Sequence, residues 1–271
     1  MGKPTSSDCL TLNVKSGQWE RGTFTNGLLG DGVRGLINIQ GQGVFVAHEK
    51  GMSVLKSSSV SWVTGPAFPS AVECACNISS TTFVTIFMSA TQNVQEYSVA
   101  NGEAEPLDFW PNLFTQRRGP GCGATSSHLV VAGGVTNWDK VLVSVELFSL
   151  STKAHRMGGS LQQARAYFQM IPVGAVHPRL LAVGGQDETS TLDSSEWWDE
   201  GEDNWQEGPQ VSIGRANFGA VMARPDLVCP EEEPLAHSCP AGHNSVCIFS
   251  SNTGAYKREI TRVQSRFWTF L

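Results

Sequence analysis

The sequence predicts an all-β chain built from repeated four-stranded antiparallel sheets, and three observations carry that prediction. Glu96, Glu146 and Glu196 fall fifty residues apart, as do His155 and Trp205, and Arg165 and Arg215. Coincidences in one order at one period are the mark of a repeat architecture. Between these markers lie short apolar runs rich in Val, Phe and Leu, bounded by Gly, Asn, Asp and Ser, which is how strands and their turns are written. Gly is also abundant, at 28 of 271 residues, which suits a turn-rich chain better than a helical one.

Each element follows from the same reading. In the unit that ends near residue 209 the strands are "FQMIPVGA", "RLLAVGG", "SSEWWDE" and "NWQEG". Inner strands are continuously apolar because both faces pack on neighbouring sheets, whereas outer strands alternate. Sheets of this kind arranged radially make a β-propeller, which leaves only short edges exposed.

The pairs Gly133-Gly134 and Gly184-Gly185, the Glu-aromatic strand and the closing Trp-x-x-Gly-Pro at Trp205 resemble the kelch repeat, whose period of about fifty also fits. The resemblance implies that the Gly pair ends the second strand and that a later aromatic braces the sheet against the next blade. It covers residues 8–223 and is strongest in the last two full units. The unit around 33–66 has His48 to Gly51 in place of the Gly pair but keeps Trp62-x-x-Gly65-Pro66, and the unit around 72–110 has no Gly pair and closes on Trp110. "DCLTLNVKSGQWERGT" matches only third and fourth strands, and "RANFGAVMARP" only a first strand. Five blades are therefore expected, four whole and one split between the ends, making either a five-bladed ring or a piece of a larger one.

Residues 224–271 depart from the period and form a Cys-containing extension. Cys229, Cys239 and Cys247 followed by "NTGAY" faintly resemble half of an EGF-like module. Alternatively, "SVCIFSS" is the second strand of the split blade after an insertion, or Cys229, His237, Cys239, His243 and Cys247 hold zinc without a standard Cys-x-x-Cys knuckle. Seven Cys is an odd number, so at least one is unpaired or pairs between chains. The four outside the extension, Cys74, Cys76 and Cys122 among them, read as small buried hydrophobes. Asn77-Ile78-Ser79 is a glycosylation sequon. No secretory signal is seen at the start, so the cytoplasm is the expected compartment, with an extracellular one as the alternative.

A search for catalysis returns little. "GDGVRG" spells Gly-x-Gly-x-x-Gly, but a strand rather than a helix follows it, so it reads as a turn between blades. There is no Gly-x-Ser-x-Gly elbow, Walker loop or His-Glu-x-x-His pair. His155 reads as a packing residue, and Tyr97, Tyr167 and Tyr256 assemble into no copper site. Asp199, Glu200, Glu202 and Asp203 read as a solvated turn. No cofactor and no metal are expected. A net charge of −6 argues against nucleic acid, and no apolar run reaches the ~20 residues of a membrane span.

What remains is a surface. In a four-stranded meander the second-to-third loops and the between-blade segments emerge on one face. That parity places Arg117, Arg118, Arg165 and Arg215 beside Trp138 and Lys140 as a candidate docking face for a protein partner with an acidic segment. The alternative for the repeated Arg is pairing with a neighbouring backbone or carboxylate. The expected function is a non-catalytic protein-interaction module. The alternatives are an enzyme or small-molecule binder using the central channel, and an extracellular adhesion fragment.

Overall fold

The computed structural model describes residues 8–13, 18–23, 33–48, 51–56, 62–173, 179–211, 213–223, 245–250 and 256–259. All regular structure there is strand. The first blade comprises β3 (Val33–Ile39), β4 (Gly43–His48), β5 (Gly51–Lys56) and β6 (Trp62–Ala67), and the second β7 (Val72–Asn77), β8 (Thr82–Phe87), β9 (Val94–Ala100) and β10 (Glu103–Phe109). The third comprises β11 (Gly121–Ala124), β12 (His128–Ala132), β13 (Val145–Ser149) and β14 (His155–Met157). The fourth comprises β15 (Gln169–Val173), β16 (Arg179–Val183), β17 (Ser195–Asp199) and β18 (Asn204–Glu207). Each is a simple antiparallel meander, so these are the four whole blades that the repeat predicts.

The ends of the chain form two further sheets. β1 (Asp8–Asn13) pairs with β2 (Gln18–Thr23), while β19 (Phe218–Ala223) pairs with β20 (Ser245–Ser250), which pairs with β21 (Tyr256–Glu259). Among the described residues these two sheets share no strand pairing. The partners of β19 come from the C-terminal side, since "SVCIFS" supplies the strand beside it. Cys247 lies in that strand, whereas Cys229, Cys239, His237 and His243 fall outside the described residues.

The propeller order is visible in what lies beside what. β3 neighbours β7, β7 neighbours β11, β11 neighbours β15 and β15 neighbours β19, so the first strands of these five sheets form the inner row. Apolar side chains fill the gaps between the four whole blades. Ile37, Phe45 and Met52 of the first blade meet Val72, Phe83 and Tyr97 of the second. Val84, Ile86 and Trp110 meet Leu129, Val131 and Phe148, and Val130, Val145 and Leu147 meet Phe168, Leu180, Trp198 and Trp205. Burial between sheets, at roughly 25 cal/mol per Å² of apolar surface, is what holds the blades in a radial row.

A covalent link crosses one of these gaps. Cys74 of β7 and Cys122 of β11 form a disulfide, with Cα atoms 6.1 Å apart. This corrects the expectation that both are merely small hydrophobes: adjacent inner strands bring residues one repeat apart within bridging reach. Cys76 is a free thiol, and burial pushes it up to about 12.

Candidate interaction face

The between-blade segments and the second-to-third loops lie on one face because they pair with each other. Arg118 N–H donates to Val135 O and Val135 N–H to Arg118 O, both at 2.8 Å, and Ala166 and Gln186 exchange the same two bonds at 2.9 Å. The Gly pairs make the approach possible. Gly133 and Gly134 have φ of +60° and +92°, Gly184 and Gly185 +61° and +96°, and a Cβ on Gly133 would clash with the Arg165 carbonyl oxygen.

Beneath this face lies a repeated buried ion pair. The Arg165 guanidinium donates to Gly184 O (2.7 Å), to Ser194 O (3.2 Å) and to Glu196 Oε1 (2.7 Å). Glu196 also accepts the backbone N–H groups of Gln162 (2.7 Å) and Gln163 (3.1 Å). In the third blade Arg117 donates to Gly133 O and Ser144 O, both at 2.9 Å, and pairs with Glu146, which accepts from Phe114 N (2.7 Å), Thr115 N (3.2 Å) and His155 Nε2 (2.8 Å). Burial pulls the Arg117 guanidinium below its ordinary range, and Glu146 works against that shift. One carboxylate thus ties the incoming between-blade turn to the Gly pair through one guanidinium.

Arg117 and Arg165, expected on a docking face, are therefore 1% and 0% exposed and cannot touch a partner. The reason is the set of buried backbone carbonyls and amides that the Arg–Glu pair holds. Arg215 stands where Arg165 stands one blade earlier: its carbonyl accepts Gly185 N–H (2.6 Å), as that of Arg165 accepts Gly134 N–H (2.9 Å). The repeated aromatic position is likewise internal. His155 stacks between Phe114 and Phe148, with ring centroids 3.9 and 4.1 Å away, and Trp205 packs on Trp198.

Arg118, Trp138 and Lys140 are at the surface. Arg118 pairs with Asp139 at 2.9 Å, with both groups solvent-accessible, and Lys140 is exposed. Trp138 is 91% exposed. It sits on a turn closed by Thr136 N–H to Lys140 O (3.0 Å) and Asp139 N–H to Thr136 O (3.1 Å), with Asp139 at φ +56°. The equivalent turn of the fourth blade carries no Trp. There Asp187 accepts Thr189 N–H and Ser190 N–H, both at 2.8 Å, and these bonds hold its carboxyl down to about 2. From the second Gly of the pair to the strand-three Glu the third blade has one residue more than the fourth, and Trp138 stands in that longer turn. Phe114, Val143 and Ile213 add exposed apolar side chains to the same set of segments. Reading the residues alone missed them, although their place in those segments was the available signal.

The opposite face is acidic and internally satisfied. Partial burial pushes the Glu200 carboxyl up, but donation from Ser127, His128, Thr125 and Ser126 outweighs it and holds the group below its usual range. Asp203 is likewise pushed up by burial and held low overall by Arg156 and Gly159 N–H. Ser127 and Glu200 both meet His128 at Nδ1, so this cluster lacks the two-sided imidazole of a nucleophilic triad. No group of His, Cys, Asp and Glu among the described residues has the placement to hold a metal ion, and no helix there is long and apolar enough to cross a membrane.

No protein-family model matches the chain. It is similar to the kelch repeat-containing protein kel-10 of Caenorhabditis elegans, at 28% identity over 134 residues. The match takes in 48% of this chain and 23% of that protein, so it spans less than a quarter of the relative's length. The fifty-residue repeat and four meander blades with their first strands innermost make a repeat β-propeller, and over about half of its length the chain is similar to a kelch repeat-containing protein.

Proposed function

We propose that the chain is a non-catalytic protein-interaction module that docks a partner on the face carrying Trp138, Arg118 and Lys140. The single observation behind this reading is Trp138, a large apolar side chain 91% exposed on a hydrogen-bonded turn. An indole held out in water by an ordered backbone loses little conformational entropy on binding, and Trp and Arg are the residues most often found at interface hot spots. Kelch propellers typically serve as protein-interaction modules, which supports the class of partner. Lys140 and the Arg118 guanidinium favour an acidic segment, which would take over from Asp139 as the guanidinium's partner.

The test is a photo-crosslinking amino acid placed at position 138, with a second protein carrying it at exposed Ser151 on the opposite face. Adducts formed from position 138 in cells, absent from position 151 and abolished by Lys140→Glu, are the expected result. Equal adducts from both positions, or none from position 138, overturn the reading. Trp138→Ala should leave the unfolding free energy within about 0.5 kcal/mol of the parent, because the side chain packs on little.

A further inference from the structure

We propose that Asn77 carries an N-linked oligosaccharide, and that the chain matures in the oxidising lumen where such sugars are added. Two independent observations meet on β7. The first is the acceptor Asn77-Ile78-Ser79, with no Pro in the middle, at the strand's end where it turns to β8. Asn77 is partly exposed there, and Ser79 and Ser80 are exposed. The second is the disulfide between Cys74, three residues earlier on the same strand, and Cys122. Structural disulfides persist in secretory and extracellular compartments and are rare in the cytosol. A sequon alone is common, and a disulfide alone says nothing of sugar, but both chemistries require the same compartment.

The local geometry accepts the modification. Asn77 Nδ2 donates one hydrogen bond, to Asn38 O at 2.7 Å. In the transfer Nδ2 attacks C1 of an oligosaccharide borne on a polyprenyl pyrophosphate. The N–C1 bond forms, the C1–O bond to pyrophosphate breaks, the lipid pyrophosphate leaves with the electron pair, and Nδ2 gives up one proton. The second hydrogen stays on Nδ2, so the bond to Asn38 survives. Ser79 is held in its turn by accepting Thr81 N–H (3.1 Å) and Thr82 N–H (3.0 Å). The turn between β7 and β8 joins a first strand to a second, so it emerges on the face opposite Trp138, and a sugar there leaves the Trp138 face uncovered.

The experiment is the intact mass of the full chain purified from its own cells, before and after peptide N-glycosidase, with non-reducing alkylation alongside. The expected results are loss of an oligosaccharide mass, conversion of Asn77 to Asp, and no alkylation of Cys74 or Cys122 until reduction. Ser79→Ala should abolish the enzyme-sensitive mass, and Ser79→Thr, which retains a hydroxyl, should keep it. Because both variants leave Asn77 and its bond to Asn38 in place, loss of sugar is separable from loss of fold. An unmodified Asn77 overturns the proposal, as does immediate alkylation of Cys74 and Cys122, or an enzyme-sensitive mass that Ser79→Ala leaves unchanged.

Discussion

In the third blade Glu146 is sealed from solvent and held by a guanidinium, an imidazole and two backbone amides, whereas in the second blade the equivalent Glu96 meets the Trp110 indole (3.0 Å) and the half-exposed Lys153 ammonium (2.9 Å). Lys153 comes from the neighbouring third blade and also lies 5.3 Å over the Trp110 ring. The carboxylate position is constant across the second, third and fourth blades, and its partners vary with what else each blade provides. Where a Gly pair turns the backbone, an Arg is buried to satisfy the first Gly carbonyl. In the second blade, where the Gly pair is missing, a Trp and a Lys hold the carboxylate instead.

The largest effect should come from breaking the buried version. Arg165→Met leaves Glu196 charged, buried and without its cation, which should cost about 3–5 kcal/mol in denaturant unfolding. Lys153→Met, which removes the partly exposed cation from Glu96, should cost only about 1 kcal/mol. Equal costs would mean that the two carboxylates sit in equivalent environments and that the comparison is empty.

Next is the disulfide, which belongs to the second and third blades together. It closes a separation of 48 residues, and Cys74→Ala with Cys122→Ala should cost about 2–4 kcal/mol relative to the oxidised chain. Reduction of the parent protein should produce a loss of similar size, and a parent whose unfolding midpoint is indifferent to reductant would show that the link contributes nothing.

The Gly positions sharpen the contrast between intact and degenerate blades. Gly133→Ala puts a side chain at φ +60° and against the Arg165 carbonyl, and should cost more than about 1 kcal/mol. Gly51, in the first blade where the pair is missing, has no positive φ, and a Cβ there would meet nothing nearer than 3.6 Å. Gly51→Ala should be neutral or stabilising by about 0.4–1 kcal/mol. A loss at Gly51 matching that at Gly133 would place the first blade among the intact ones.

Much of this was legible in the residues. The strands of the fourth blade fall where their apolar runs stand, and Gly follows the second strands because a Cβ on Gly133 or Gly185 would strike the Arg165 or Ala166 carbonyl oxygen. The burial of Arg117 and Arg165 was not, because an Arg in a polar loop ordinarily faces water and its partner lies about thirty residues away in sequence. The signal was that Arg and Glu repeat together, since a surface site has no need to repeat with the strands. The link between Cys74 and Cys122 was hidden for a related reason: only when first strands are known to be neighbours does a spacing of one repeat become a spatial contact. The exposed Phe114, Val143 and Ile213 look like core residues by type, and only their place in the between-blade and second-to-third segments sets them apart.

The smallest effect expected is electrostatic and lies on the acidic face. The Glu200 carboxyl is held below its usual range in the folded chain, chiefly because donation from Ser127 and His128 exceeds the cost of partial burial. Its contribution is therefore complete above the ordinary carboxylate range of about 4.3 and is lost as pH falls through the lower, folded value. Glu200→Gln should lower stability at neutral pH by less than about 1 kcal/mol, as expected for a side chain still reached by solvent. The difference from the parent should shrink toward acid, because protonation removes the same charge that the substitution removes. A stability difference that stays constant from neutral to acid pH would show that Glu200 acts through its shape and hydrogen bonds and not, as the buried Glu196 does in its pair with Arg165, through its charge.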